Sequence, residues 1–425
     1  MASRFSLKKF GLLGSLYLSQ FMPFWFLYQA LPVLLRQQGM SLSAIGLLPL
    51  VTVAVSFKFL WSPLIDRYSW SRWGHYRFWI ILFQLCVVAI TLVCSLLTLE
   101  SQLPLILLGL ALMGTSCASQ DIATDALAVH LLDPQERGIG NAVQGVGGAI
   151  GRLIGGGGLL ILLNRWGWTP SLLILAATML LALLPLLAYR EPRRQRMSPP
   201  LAAPAEARSV GLLAYFQIFL QFCQQPGMTL WLIVLGLYAA AHNLSATMFR
   251  PLLVDLGFSL SEIGSLLGIF GTSTTILGTL LAGVFISRWG RKRTLLTANS
   301  LALMGTVSYL LPTFGLTQMP VLYGIVSLTF FSLGMVGTTC FTIMMDNSRP
   351  ETAGTDYTLQ TSLIALGGIL SAALSGVLAT VIGYQGVFVL GSLLMLGCLI
   401  VIVQRFNPSR DDQTSPAPAP ILRKD

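Results

Sequence analysis

The chain has 425 residues, 54% of them hydrophobic and only 10% charged, with a mean hydropathy of +0.75. A soluble domain carries roughly 25% charged residues, so a soluble fold is excluded. The excess of bases, 26 Lys and Arg against 16 Asp and Glu, would suit nucleic acid only if it formed one folded basic surface, and these bases lie between apolar runs instead.

A bilayer core of about 30 Å needs about 20 apolar helical residues, and twelve such spans are predicted. In the first half they run 10–31, 43–64, 77–98, 103–128, 139–163 and 171–189. In the second they run 228–249, 262–286, 294–313, 319–345, 357–381 and 386–404. Arg4, Lys8 and Lys9 ahead of the first run imitate a signal peptide, but the run is long and has no small-residue cleavage site, so it reads as the first transmembrane helix. The predicted architecture is all-α: residues 1–189 and 228–405 as two six-helix halves, 190–227 as a linker with a short surface helix over 210–222, and 406–425 as a disordered tail.

With both termini on one side, 21 of the 26 bases collect there, while Arg36, Arg165 and Arg250 fall opposite and Lys58 and Arg152 lie within spans. Cytoplasmic loops collect Lys and Arg, so both termini are expected in the cytoplasm.

The halves repeat one another. Gly39-Met40-Ser41-Leu42-Ser43-Ala44-Ile45-Gly46 returns as Gly257-Phe258-Ser259-Leu260-Ser261-Glu262-Ile263-Gly264, and Pro134, Gly138 and Gln144 return as Pro350, Gly354 and Gln360. Paired halves of this kind enclose a midplane substrate site and rock about it.

Two carboxylates stand in the fourth span, Asp121 and Asp125, four residues apart and so on one helical face. An ionisable group within a membrane is by default a functional hypothesis. The alternative is a pair that anchors the cytoplasmic end of the helix. Lys58 reaches a similar depth on the second span, either as a partner for the acids or as a static brace between helices. Arg152 lies near the middle of the fifth, where its fork of donors suits a substrate carboxylate or one of the two acids. Gln20, Trp25, Tyr28 and Gln29 on the first span, with Tyr238, His242 and Asn243 on the seventh, sit where a cavity would be lined, although interfacial aromatic belts give the same composition. Gly147, Gly151 and Gly155 are spaced for close helix packing rather than for holding phosphate.

Neither a nucleophile–base set nor a metal-ligand spacing is present, and the six cysteines are never paired as in a zinc or redox site. No enzyme activity, cofactor or bound metal is expected.

The loop Gly283-Val284-Phe285-Ile286-Ser287-Arg288-Trp289-Gly290-Arg291-Lys292-Arg293 resembles the loop signature of the major facilitator superfamily, G-x-L-x-D-R-x-G-R-K, with Ser287 in place of its Asp. Asp66-Arg67 keeps that pair in the first half. The stretches Phe57-Lys58-Phe59-Leu60-Trp61-Ser62-Pro63-Leu64-Ile65-Asp66-Arg67-Tyr68 and Ser119-Gln120-Asp121-Ile122-Ala123-Thr124-Asp125-Ala126 resemble the AmpG-like branch, which holds muropeptide and siderophore permeases. The run from Met344 to Gln360 is similar to siderophore permeases of the RhtX/FptX type.

The resemblance implies a twelve-helix major facilitator fold in a bacterial inner membrane and proton-driven import of a siderophore or metal–siderophore complex, any metal crossing inside its chelator. A muropeptide permease is the alternative, and a sensor or accessory protein that has kept the fold without transport is the third reading. It further implies that Asp121 and Asp125 couple protons with Lys58 as partner, that Asp66, Arg67, Arg288 and Arg291 belong to latch loops, and that the chain acts as a monomer. Asp346 and Arg349 are either gating charges or ordinary loop charge.

Overall fold

The computed structural model describes residues 7–27, 31, 56–68, 74–98, 101–191 and 212–405. Tyr28, Gln29, residues 43–55 of the predicted second span, the first copy of the eight-residue repeat, most of the linker and the tail beyond 405 lie outside them. Among the described residues all regular structure is helical. In order the helices are α1 (Leu7–Trp25), the short α2 (Ser62–Arg67), α3 (His75–Leu96), α4 (Leu103–Leu131), α5 (Arg137–Trp166), α6 (Trp168–Ala188), α7 (Leu212–Cys223) and α8 (Met228–Asp255). They continue with α9 (Gly264–Trp289), α10 (Arg291–Ser308), α11 (Met319–Asn347), α12 (353–382) and α13 (384–405).

Nine helical stretches among the described residues are long and apolar enough to cross a membrane, and the last of these is divided at Gly383 into α12 and α13. Its φ of +68° is a conformation that only a residue without a side chain enters at no cost. Gly290, at φ +79°, makes the same kind of break between α9 and α10. α4 and α11 each have 29 residues, and each opens with a proline in its first turn, Pro104 and Pro320, where the missing N–H has no helical partner to lose. At a rise of about 1.5 Å per residue both helices exceed a bilayer core of about 30 Å, so their ends project or tilt.

Helix approach is set by glycines. α5 lies on the backbone of α1, with Gly147, Gly151 and Gly155 against the carbonyls of Gly14, Leu18 and Met22. α9 and α11 meet in the same way, Gly278 against the Phe331 carbonyl and Gly334 against that of Thr275. Within the membrane, where apolar lipid competes equally for Leu and Val, such close contact is a main source of helix association.

The buried apolar residues of the described chain form three clusters. The largest joins α1, α3 and α4 to α8, α10, α11 and α13, taking in Tyr17, Ile122, Leu127, Trp231, Met335 and Met344. A second holds only residues before 180, among them Phe26, Leu110 and Met179. The third holds only residues after 243, among them Phe249, Leu322 and Phe388. The two sets of helices therefore share one core at the end carrying Asp66, Arg137, Arg291 and Arg349, called here the basic end, and keep separate cores at the other.

The expected surface helix of the linker is α7. It touches both sets: the Phe219 ring stands edge-on to Phe59, centroids 6.0 Å apart, and the Ile218 carbonyl accepts a hydrogen bond from Arg349 Nη2 at 3.2 Å.

Candidate functional site

The second predicted span does not continue as α-helix to its end. A 3-10 turn covers Lys58–Leu60, and Pro63 then opens α2. Trp61 ties this turn to α4, its Nε1 donating to Ser119 Oγ at 3.0 Å. Lys58 is thereby placed beside Asp121. Its Nζ donates to Asp121 Oδ2, while Gln20 Nε2 from α1 donates to Oδ1, so both carboxylate oxygens are held. One turn further along α4, Asp125 accepts a hydrogen bond from Tyr17 Oη at 2.7 Å. Lys58 and Asp125 are nearly inaccessible, at 7% and 2% exposure, whereas about a fifth of the Asp121 side chain, 21%, is reachable. The accessible member of the cluster is an acid.

Several buried polar atoms have no partner among the described residues: Gln20 Oε1 and Thr124 Oγ1 beside Asp121 and Asp125, Tyr238 Oη on α8, and Thr358 Oγ1 and Ser362 Oγ on α12. Buried groups of this kind are satisfied by water or by a bound molecule.

Arg152 is not paired with either acid. Its guanidinium carbon sits 5.3 Å from the centre of the Trp25 ring, and Nη2 donates to Thr272 Oγ1 of α9 at 3.2 Å. Tyr238 and His242 are brought together as a ring stack on α8, centroids 5.9 Å apart and 16° from parallel. Asn243 turns its amide back to the Ala239 carbonyl at 2.9 Å, with Gly368 of α12 against it. Among the described residues no group of three or more His, Cys, Asp or Glu could hold a metal ion.

At the basic end the loop residues are joined unequally. Asp66 caps the start of α12: it accepts from the backbone N–H of Gly354 (3.1 Å) and of Thr355 (2.7 Å), from Thr355 Oγ1 (2.7 Å) and from Tyr76 Oη (2.9 Å). Burial pushes its carboxyl above the usual carboxylate range, and those hydrogen bonds offset part of the rise. The repeat-related Ser287 makes no such bridge; its hydroxyl donates to the Gly283 carbonyl within its own helix. An ion network stands in that place. Asp346 on α11 accepts from Arg137 Nη1 at 2.7 Å and from Arg291 Nε at 2.9 Å, and Arg291 also reaches the Pro134 carbonyl.

Lys9 adds a bond to Glu136 at 2.9 Å, which raises its affinity for a proton. Arg349 pairs with Asp356 at 2.7 Å within the second set. Arg67 lies over the ring of Tyr68, 5.8 Å from its centre, and Arg288 is exposed at the end of α9.

Of the residues in these contacts, Tyr17, Thr272 and Thr355 were not marked by the sequence. Tyr17 shares a face of α1 with Gln20, three residues on, and that spacing was the one available signal.

Packed apolar helices in two repeat-related sets, a carboxylate–ammonium cluster inside them and capping charges at one end define a membrane transporter rather than an enzyme. The chain belongs to the Major Facilitator Superfamily, whose family model matches residues 13–372. It is 28% identical over 344 residues to the anhydromuropeptide permease of Escherichia coli, an alignment covering 80% of this chain and 68% of that protein. The fold is similar to that of the human organic anion transporter MFSD10 (TETRAN), with a TM-score of 0.72 at 17% identity, covering 94% of this chain and all of the other. It is also similar to the transporter FucP, solved in the outward conformation, with a TM-score of 0.69 at 15% identity and 94% and 98% coverage. The AmpG-like branch of the resemblance stands with the Escherichia coli permease, and the siderophore subgroup gains no support from it.

Proposed function

We propose that this chain carries a muropeptide, a sugar–peptide fragment of the bacterial cell wall, across the inner membrane, and that the siderophore expectation gives way to this reading. The observation that carries it is the 28% identity to an anhydromuropeptide permease across four-fifths of the chain. Import is driven by protons through Asp121, Asp125 and Lys58. One ammonium against two carboxylates leaves the ionised cluster with an excess of one negative charge, so one proton brings it to neutrality, and the accessible acid gives that proton a route. The halves 1–189 and 228–405 rock against each other about this site, joined by the linker 190–227. Both termini, including the tail 406–425, lie in the cytoplasm, as the distribution of bases suggests. A single chain performs the cycle.

The core shared at the basic end and divided at the other fits a state closed to the cytoplasm. Gating in this reading rests on Asp66, Arg291 and Asp346, with Arg137 as their fourth member, while Arg67, Arg288 and Arg349 stand beside them.

The test is uptake by proteoliposomes under an imposed pH gradient, acid outside, with labelled anhydromuropeptide in one series and a labelled iron chelate in another. Gradient-dependent accumulation of the muropeptide alone is the expected result. Accumulation of the chelate alone would overturn the substrate class, and uptake that ignores the gradient would overturn the coupling.

A further inference from the structure

α5 and α9 belong to different helix sets and run antiparallel along a seam with contacts seven residues apart. Gly138 meets Gly283 and Ile286, Gly145 meets Thr279, and Arg152 meets Thr272. The first two contacts are made by residues so small that the helices nearly touch. The third is a long cationic side chain reaching across. It lies toward the end where the two sets keep separate cores, so the Arg152–Thr272 hydrogen bond ties the sets across that division.

Among the described residues the guanidinium has no acid to neutralise it. The acids in the described spans have other partners: Asp121 with Lys58 and Gln20, Asp125 with Tyr17, Asp255 with Tyr384, Glu262 with Ser259, and Asp346 and Asp356 with arginines of the basic end. The undescribed stretches 28–30 and 32–55 contain no Asp or Glu, and Glu100, between α3 and α4 in the chain, is the one acid among the undescribed residues before the linker. A neutral hydroxyl and the face of Trp25 are weak compensation for a cation inside a membrane span. The backbone beside it is also irregular. A wide helical turn follows at Leu153–Gly158, and another, Gly264–Phe270, ends two residues before Thr272. Such turns are frequent where a helix serves a site.

We propose that Arg152 is a carboxylate-receiving site between the two helix sets, occupied by Thr272 when empty and by an acidic group of the substrate when loaded. The inference rests on the muropeptide reading for the identity of the substrate, whose peptide portion carries carboxylates. A carboxylate takes the guanidinium fork in bidentate fashion, which a hydroxyl cannot match. Loading therefore removes the hydrogen bond to α9, and recognition of the acid and release of the tie are one event. Trp25, its ring centre 5.3 Å from the guanidinium carbon, positions the cation for either partner.

The test compares labelled anhydromuropeptide with a derivative whose carboxyl groups are converted to primary amides, in proteoliposomes of wild type, Arg152→Gln, Arg152→Lys and Thr272→Val. Wild type favours the acid. Arg152→Gln raises KM for the acid by about ten- to a hundred-fold, as expected for loss of a charge-assisted pair, and erases the preference. Arg152→Lys keeps part of it. Thr272→Val lowers KM for the acid, because no hydroxyl has to be displaced. An acid preference that survives in Arg152→Gln overturns the proposal.

A parallel series follows thermal unfolding of the purified protein with N-acetylglutamate or with phosphatidylglycerol added. Stabilisation of wild type but not Arg152→Gln by N-acetylglutamate upholds the site even where no muropeptide is transported, in which case only the substrate reading falls. Arginine-dependent stabilisation by phosphatidylglycerol alone assigns the site to a lipid headgroup and overturns the substrate role. No arginine-dependent stabilisation by either, together with no acid preference in uptake, also overturns it.

Discussion

Lys58 and Asp121 hold each other inside the bundle, and the energetics of such a pair are lopsided. Removing one partner leaves the other charge buried and unpaired, at a cost of about 3–5 kcal/mol, whereas replacing both with apolar residues of similar size is close to neutral. Lys58→Met alone is therefore expected to lower the unfolding temperature sharply, and Lys58→Met with Asp121→Leu to recover most of it. Transport separates the two roles of the pair: the double variant, though stable, should fail to accumulate substrate under a pH gradient. Full accumulation by that variant would reduce the pair to a brace between helices. These charges were legible in the sequence because an ionised residue in an apolar run stands out. Tyr17 and Thr272 were not, since Tyr and Thr are ordinary in such helices and their partners lie 108 and 120 residues away.

At the scale of elements, the glycines of α5 decide how near α1 can come. A methyl group at Gly155 would drive into the Met22 carbonyl, while one at Gly157 meets nothing within 4 Å. Gly155→Ala should sharply reduce the yield of folded protein after extraction, and Gly157→Ala should leave it within the scatter of wild type; equal behaviour of the two would show that α1 and α5 do not depend on this contact. The spacing of Gly147, Gly151 and Gly155 announced close packing in advance, because small residues four apart form a continuous flat stripe. The partner helix was not announced, since any helix can lie on such a stripe. Nor was the 3-10 turn at Lys58–Leu60, for the run Phe57 to Leu64 is apolar enough to read as unbroken helix and only Pro63 hints at a change of geometry.

For the whole molecule, the duplication in the sequence led correctly to the family fold, but it misleads about the basic end if the copies are taken as equivalent. Ser287 in place of an acid removes the second cap, and the contact there passes to Arg137, Asp346 and Arg291, three residues whose meeting no local pattern encodes. The single cap makes a sharp prediction. Asp66→Ala deprives the N–H groups of Gly354 and Thr355 of their acceptor, so hydrogen exchange at these two amides should accelerate by an order of magnitude or more, about 1.4 kcal/mol or greater in opening free energy, while the interior of α11 keeps its protection. Unchanged exchange at residues 354 and 355 would show that the first turn of α12 is held by packing alone.

α7 bears on the speed of the proposed cycle. It rests on Phe59 from one set and on Arg349 from the other, and so contacts both within the 38-residue connection from 190 to 227. In the proposed cycle, opening at the basic end would first detach one of those contacts, and two groups joined by a tether meet again at a high effective concentration. Reclosure in that cycle would be an intramolecular encounter, with α7 docking again between Phe59 and Arg349.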